Sequence, residues 1–72
     1  MITKGMSAYF IEDGHIYEGA ITDIEQENGK VTFQIDTYGT CEGLYRIDEK
    51  QIGRTIFLDK EDAMRHLPFF DL

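Results

Sequence analysis

Asn28-Gly29-Lys30-Val31-Thr32-Phe33-Gln34-Ile35-Asp36 is the stretch whose reading decides the fold class. Val31, Phe33 and Ile35 alternate with Thr32, Gln34 and Asp36, so an extended chain presents one apolar and one polar face. The Asn-Gly dipeptide ahead of it suits a type I′ turn, in which both central residues need positive φ. A second such dipeptide, Asp13-Gly14, stands upstream and is again flanked by β-branched and aromatic residues. Two hairpins sharing a long middle strand follow from this punctuation.

Working outward, the pattern predicts strands over about 6–11, 15–26, 30–38, 41–47 and 54–58. In the second strand Tyr17, Gly19 and Ile21 keep one phase, and Ile24 falls out of step. A bulge or sharp bend near Thr22-Asp23 restores the alternation. Gly43 weakens the fourth strand or marks a bend, and residues 48–53 read as a turn with a single 3₁₀ turn as one option. The expected core comprises Tyr17, Ile21, Val31, Phe33, Ile35, Ile56, Leu58, Met64 and Leu67.

Asp59 is a good N-cap for a helix over about 60–67, with Glu61 and Asp62 in the first turn, where the helix dipole favours them. Asp62 stands at the third position of a capping-box-like arrangement, and Glu61 and Arg65 form an i,i+4 pair. So short a helix needs its Ala63-Met64-Leu67 face docked on the sheet. Pro68 ends it, and the tail over 68–72 adds Phe69, Phe70 and Leu72. The fold class expected is therefore mainly β: a small five-stranded SH3-like barrel, or a strongly bent antiparallel sheet, with one short C-terminal α-helix.

Seventy-two residues suit one domain, because a chain this short buries only about 60% of its unfolded surface. With 42% apolar residues it has enough to fill one core. Cys41 is the single cysteine, so no intramolecular disulfide forms, which points to a reducing compartment. The first residues lack the apolar core of a signal peptide, and no apolar run approaches a membrane span. A cytoplasmic protein is the expectation.

Gly14-His15-Ile16-Tyr17-Glu18-Gly19-Ala20-Ile21, with Ile24, the Asn28-Gly29 turn and the strand from Val31 to Ile35, resembles the first hairpins of KOW- and Tudor-like SH3 barrels. Tyr9-Phe10-Ile11-Glu12-Asp13-Gly14, taken with the segment from Ile52 to Ala63, is similar to small uncharacterised barrel proteins of Firmicutes phages and mobile elements. Their closing segment has the form I-G-K-T-V-F-L-T-x-E-E-A. Arg54, Asp59 and Asp62 stand here where Lys, Thr or Ser, and Glu are usual. The resemblance covers most of residues 6–67; it implies a fold and a genomic setting and carries over no functional residue.

Several chemistries find no support in the residues. His15, Cys41 and His66 lie far apart, in no spacing that metal ligands use. Ser7 and Cys41 have no nucleophile elbow around them, and the adjacent carboxylates Glu12 and Asp13 fall in a turn. No phosphate-cradling glycine motif occurs. The expectation is a chain without metal, cofactor or catalysis.

Charge is the strongest functional signal. The net charge is −7, and between Lys4 and Lys30 there is no Lys or Arg. That interval holds Glu12, Asp13, Glu18, Asp23, Glu25 and Glu27, which repel phosphate backbones. The reading is a protein-interaction or regulatory module for an unknown partner with a basic surface, contacted by Glu18, Asp23, Glu25 and Glu27 along the second strand. The plainer alternative is carboxylates that maintain solubility.

Tyr17, Tyr38 and Tyr45, with Tyr9, are either ordinary strand packing or an aromatic groove for a peptide. Phe69 and Phe70 either cover the barrel end or insert into a partner or a second copy, so monomer and weak homodimer are both open. Arg46, Lys50 and Arg54 form the one basic grouping, on which the rival reading of a nucleic-acid-binding KOW-like barrel rests. A further alternative is an acidic inhibitor that imitates nucleic acid.

Overall fold

The computed structural model describes residues 2–40, 43, 44 and 46–67. It has strands β1 (Ser7–Glu12), β2 (His15–Glu27), β3 (Lys30–Ile35), β4 (Gly39–Thr40), β5 (Gly43–Leu44), β6 (Ile47–Asp48) and β7 (Ile56–Phe57). A 3₁₀ turn spans Glu49–Gln51, and helix α1 spans Lys60–Arg65. Five strands form one antiparallel sheet in the order β6-β3-β2-β1-β7, curled into a half-barrel, and β4 and β5 pair apart from it. This is the mainly β architecture with a short C-terminal helix that the pattern implied.

The two turns are as expected. Asp13 and Gly14 have φ of 54° and 76°, and Asn28 and Gly29 have 53° and 78°, so both central residues of each turn are left-handed. Between them β2 pairs with β1 over Ala20 to His15 and with β3 over Ile21 to Glu27. The register slips between Thr22 and Glu25, and Asp23 sits at φ 52°. That bulge lets Ile21 and Ile24 both turn toward the core although they are out of step in sequence.

Where β2 changes partner, Gly19 makes close approach possible. Asp36 N–H donates to the Ala20 carbonyl (3.0 Å), Ala20 N–H donates to Asp36 Oδ1 (3.0 Å), and Thr37 Oγ1 donates to the Glu18 carbonyl (3.1 Å). The end of β3 thus folds over β2. A Cβ on Gly19 would meet Thr37 Oγ1 and come within 2.5 Å of Ile35 Cγ2 and 2.8 Å of Asp36 Oδ1.

Ala8, Phe10, Ile21, Phe33, Ile35, Ile47 and Ile56 form the core on the concave face, with Ile2, Ile24, Tyr38, Ile52 and Leu58 packed against it. Fully burying a side chain the size of Phe33 contributes about 2–3 kcal/mol. Phe57 and Ala63 are also buried, but outside this cluster. The register explains why: Phe10 pairs with Ile56 on the core side, so Tyr9 and Phe57 point to the opposite face, where α1 packs against β1 and β7. The core cluster thus lies on one face of the sheet, and Phe57 and Ala63 are buried apart from it.

Four members of the expected core are corrected. Val31 and Leu67 are only half-buried and lie outside the core cluster. Met64 is 52% exposed, Ala63 being the buried residue of α1, and Tyr17 is 44% exposed, because β3 pairs with β2 only from Ile21 onward, whereas its partner Phe10 is flanked by Ile56. Three spans are corrected as well. The third strand stops at Ile35, since Tyr38 N–H turns back to the Ile35 carbonyl. The strand expected over 41–47 is instead β5 in a small hairpin with β4, followed by β6 on the edge of β3; Cys41, Glu42 and Tyr45 lie outside the described residues. The last strand is only Ile56–Phe57, because Arg54 and Thr55 N–H groups bond to the Gln51 carbonyl in the preceding turn.

Asp59 caps α1, its Oδ1 accepting from Glu61 N–H at 3.1 Å. Asp62 pairs with Arg65 rather than completing a capping box, and Arg65 also reaches Glu61 at 4.0 Å. The full capping box lies elsewhere: Asp48 Oδ1 accepts from Lys50 N–H (2.9 Å), while Gln51 Oε1 accepts from Asp48 N–H (3.2 Å).

Candidate functional site

The acidic segment is not one surface. β2 carries it past the bulge, and the two sides of the bulge have different neighbours. On the C-terminal side, β6 lies along β3 and brings Arg46 to the bulge. The Arg46 guanidinium donates from Nη1 to Asp23 Oδ2 at 2.8 Å, from Nη2 to the Asp23 carbonyl and from Nε to Thr32 Oγ1 at 3.1 Å, and lies 3.9 Å from Glu25. Asp23 tolerates its left-handed φ as a short polar residue, and Arg46 holds its carbonyl and carboxylate together.

A depression of about 530 Å³ beside this clip is lined by Glu25, Glu27, Asn28, Lys30, Thr32 and Arg46. Lys30 reaches Asp48 at 3.7 Å. The acidic residues here therefore alternate with the chain's own cations. Of the four carboxylates expected to meet a partner, Asp23 and Glu25 are engaged internally, and Glu27 pairs in register with Lys30 across the strands.

On the N-terminal side the charges stand differently. Glu12, Asp13 and Glu18 are exposed and take part in no ion pair among the described residues. Glu12 lies opposite His15 at the hairpin tip, on the same face as the Phe10–Tyr17 pair. Tyr17 stacks on Phe10 with centroids 5.6 Å apart and planes at 25°, and Tyr38 meets Phe10 edge-on at 4.7 Å and 75°. Two of the expected partner-binding tyrosines are thus brought together on one buried ring.

Glu18 projects from the opposite face, across from Tyr9. Tyr45, Phe69 and Phe70 lie outside the described residues. Phe10 and the clip by Arg46 carry no mark in the sequence. Ala8-Tyr9-Phe10-Ile11 is a continuous apolar run whose phase only the pairing with Ile56 sets, and nothing local marks Arg46 as a partner of Asp23.

Among the described residues no three His, Cys, Asp or Glu side chains gather as a metal-ligand set. His66 lies against Phe57, ring centroids 4.6 Å apart, with Nδ1 at 2.9 Å from the Asp62 carbonyl. No described helix is long and apolar enough to cross a membrane. The chain matches no family model, and no curated protein or solved structure shows significant similarity to it.

Proposed function

We propose that this chain is a small non-catalytic protein-interaction or regulatory module, which meets a partner with a basic surface through its first hairpin. The observation that supports this reading is the unequal use of charge. Lys30, Arg46 and Arg65 each lie within ion-pair distance of the chain's own carboxylates, whereas Glu12, Asp13 and Glu18 have no cation beside them among the described residues. A basic surface is drawn to that end at low salt and a polyanion is repelled.

The rival nucleic-acid reading loses part of its basis, because Arg46, one of three residues in the basic grouping, is occupied by Asp23. An acidic inhibitor that takes the place of nucleic acid on a host protein is a special case of the same reading. The resemblance to barrels of phages and mobile elements supplies a genomic setting, and the single Cys41 fits a protein of the cytoplasm. Phe69 and Phe70 offer a second contact or the seam of a weak homodimer.

Affinity capture from lysate with and without nuclease tests the reading. The expected result is a basic protein retained after nuclease and lost with Glu12→Lys/Glu18→Lys. Capture that nuclease removes, or tight binding to duplex DNA at about 0.15 M salt, where screening limits reach to roughly 8 Å, would transfer the function to nucleic acid.

A further inference from the structure

Resting on the reading that a basic protein surface meets the first hairpin, we infer that the corner formed by Phe10, Tyr17 and Tyr38 receives an arginine side chain of that partner. The β1–β2 register puts Ala8 with Gly19, Phe10 with Tyr17 and Glu12 with His15 on one face. Glu12 is therefore a diagonal neighbour of Tyr17, within reach of a long side chain lying on the ring. Phe10 is 4% exposed and forms the floor. Since Phe10 covers one face of Tyr17, the 44% exposure of Tyr17 falls on the remainder of its ring.

The chemistry of this corner selects its occupant. An aromatic face carries negative potential, and Glu12 and Asp13, in no ion pair among the described residues, add negative charge at the same end of the hairpin. An anion is repelled, and an apolar side chain would leave the carboxylates unused. A flat, weakly hydrated guanidinium stacks on the ring while its forked donors reach a carboxylate. A second copy of this chain is a poor occupant, because it brings a net charge of −7 and the same acidic hairpin.

The test titrates the isotope-labelled full chain at low salt with acetylated tetra-arginine amide and with its neutral citrulline counterpart. The expected result is amide shifts centred on Phe10, Glu12, Tyr17 and Tyr38, with the arginine δ-methylene protons moved upfield by ring current. The citrulline peptide should not bind. Tyr17→Leu should weaken binding about tenfold and Tyr17→Phe should restore it. The ring-current shift needs no variant, so it decides the matter even if Tyr17→Leu misfolds. Tetra-arginine shifts centred on residues 23–27, or unmoved arginine δ protons, would overturn the corner and leave the proposed function standing. No binding of tetra-arginine anywhere would overturn both.

Discussion

The two hairpins share β2 and a turn type, yet they treat the same residue chemistry in opposite ways. In the β2–β3 half, Asp23 and Glu25 are drawn onto Arg46, and Lys30 reaches Asp48. In the β1–β2 half, Glu12, Asp13 and Glu18 have no such partner among the described residues, and the exposed group beside them is an aromatic ring. Carboxylates near a bulge that must be held serve the fold. Carboxylates on a hairpin already closed by its own ladder are available for something else. A count of acidic residues along the sequence does not separate these two cases, because the difference lies in what packs across from them.

The largest expected effect falls where β2 passes from one hairpin to the other. Gly19→Ala places a methyl against Ile35, Asp36 and Thr37, so it should lower unfolding free energy by about 3 kcal/mol, read by urea denaturation. Gly14→Ala is the contrast: its Cβ would meet nothing within 4 Å, and only its φ of 76° opposes it, at about 1 kcal/mol. Equal losses at the two glycines would mean that β3 does not close over β2 as described.

An intermediate effect belongs to the clip. Arg46→Gln should cost about 1–2 kcal/mol, between the range for exposed ion pairs and that for hydrogen bonds to charged groups, since Arg46 is only partly exposed. A double-mutant cycle with Asp23→Asn, which keeps a residue tolerant of the left-handed φ, should recover a coupling of about 1 kcal/mol. Zero coupling would erase the distinction between the hairpins.

The smallest effect is expected in the other half. Glu12→Gln with Glu18→Gln should leave the urea midpoint unchanged, because no described residue pairs with either carboxylate. Partner association should slow and lose its salt dependence in the same variant. A clear loss of stability would show that these carboxylates also serve the fold.

Much of the fold was legible because its signals are local. Asn28-Gly29 and Asp13-Gly14 report their own backbone geometry, and Phe33 and Ile35 report the inward face of their strand, although Val31 near its start is only half-buried. Ile24, out of step with Ile21, announced the bulge that Asp23 makes. Asp59 announced the start of the helix. Each of these follows from steric and hydrogen-bonding preferences within a few residues.

What only the tertiary structure decided depends on register between distant segments. Phe57 faces α1 rather than the main core because Ile56 is opposite Phe10, and no local pattern in a two-residue strand sets that phase. Tyr17 belongs to the core by alternation alone, but it lies on β2 before the pairing with β3 begins at Ile21, which leaves it exposed. Arg46 and Asp23 are far apart in the chain and meet only because β6 lies along β3 beside the bulge. Composition and short-range periodicity determine how much acid and aromatic surface this protein carries. Which of it is used up inside the molecule is settled by long-range strand pairing, since an ion pair or a ring contact requires positions that only the assembled sheet brings together.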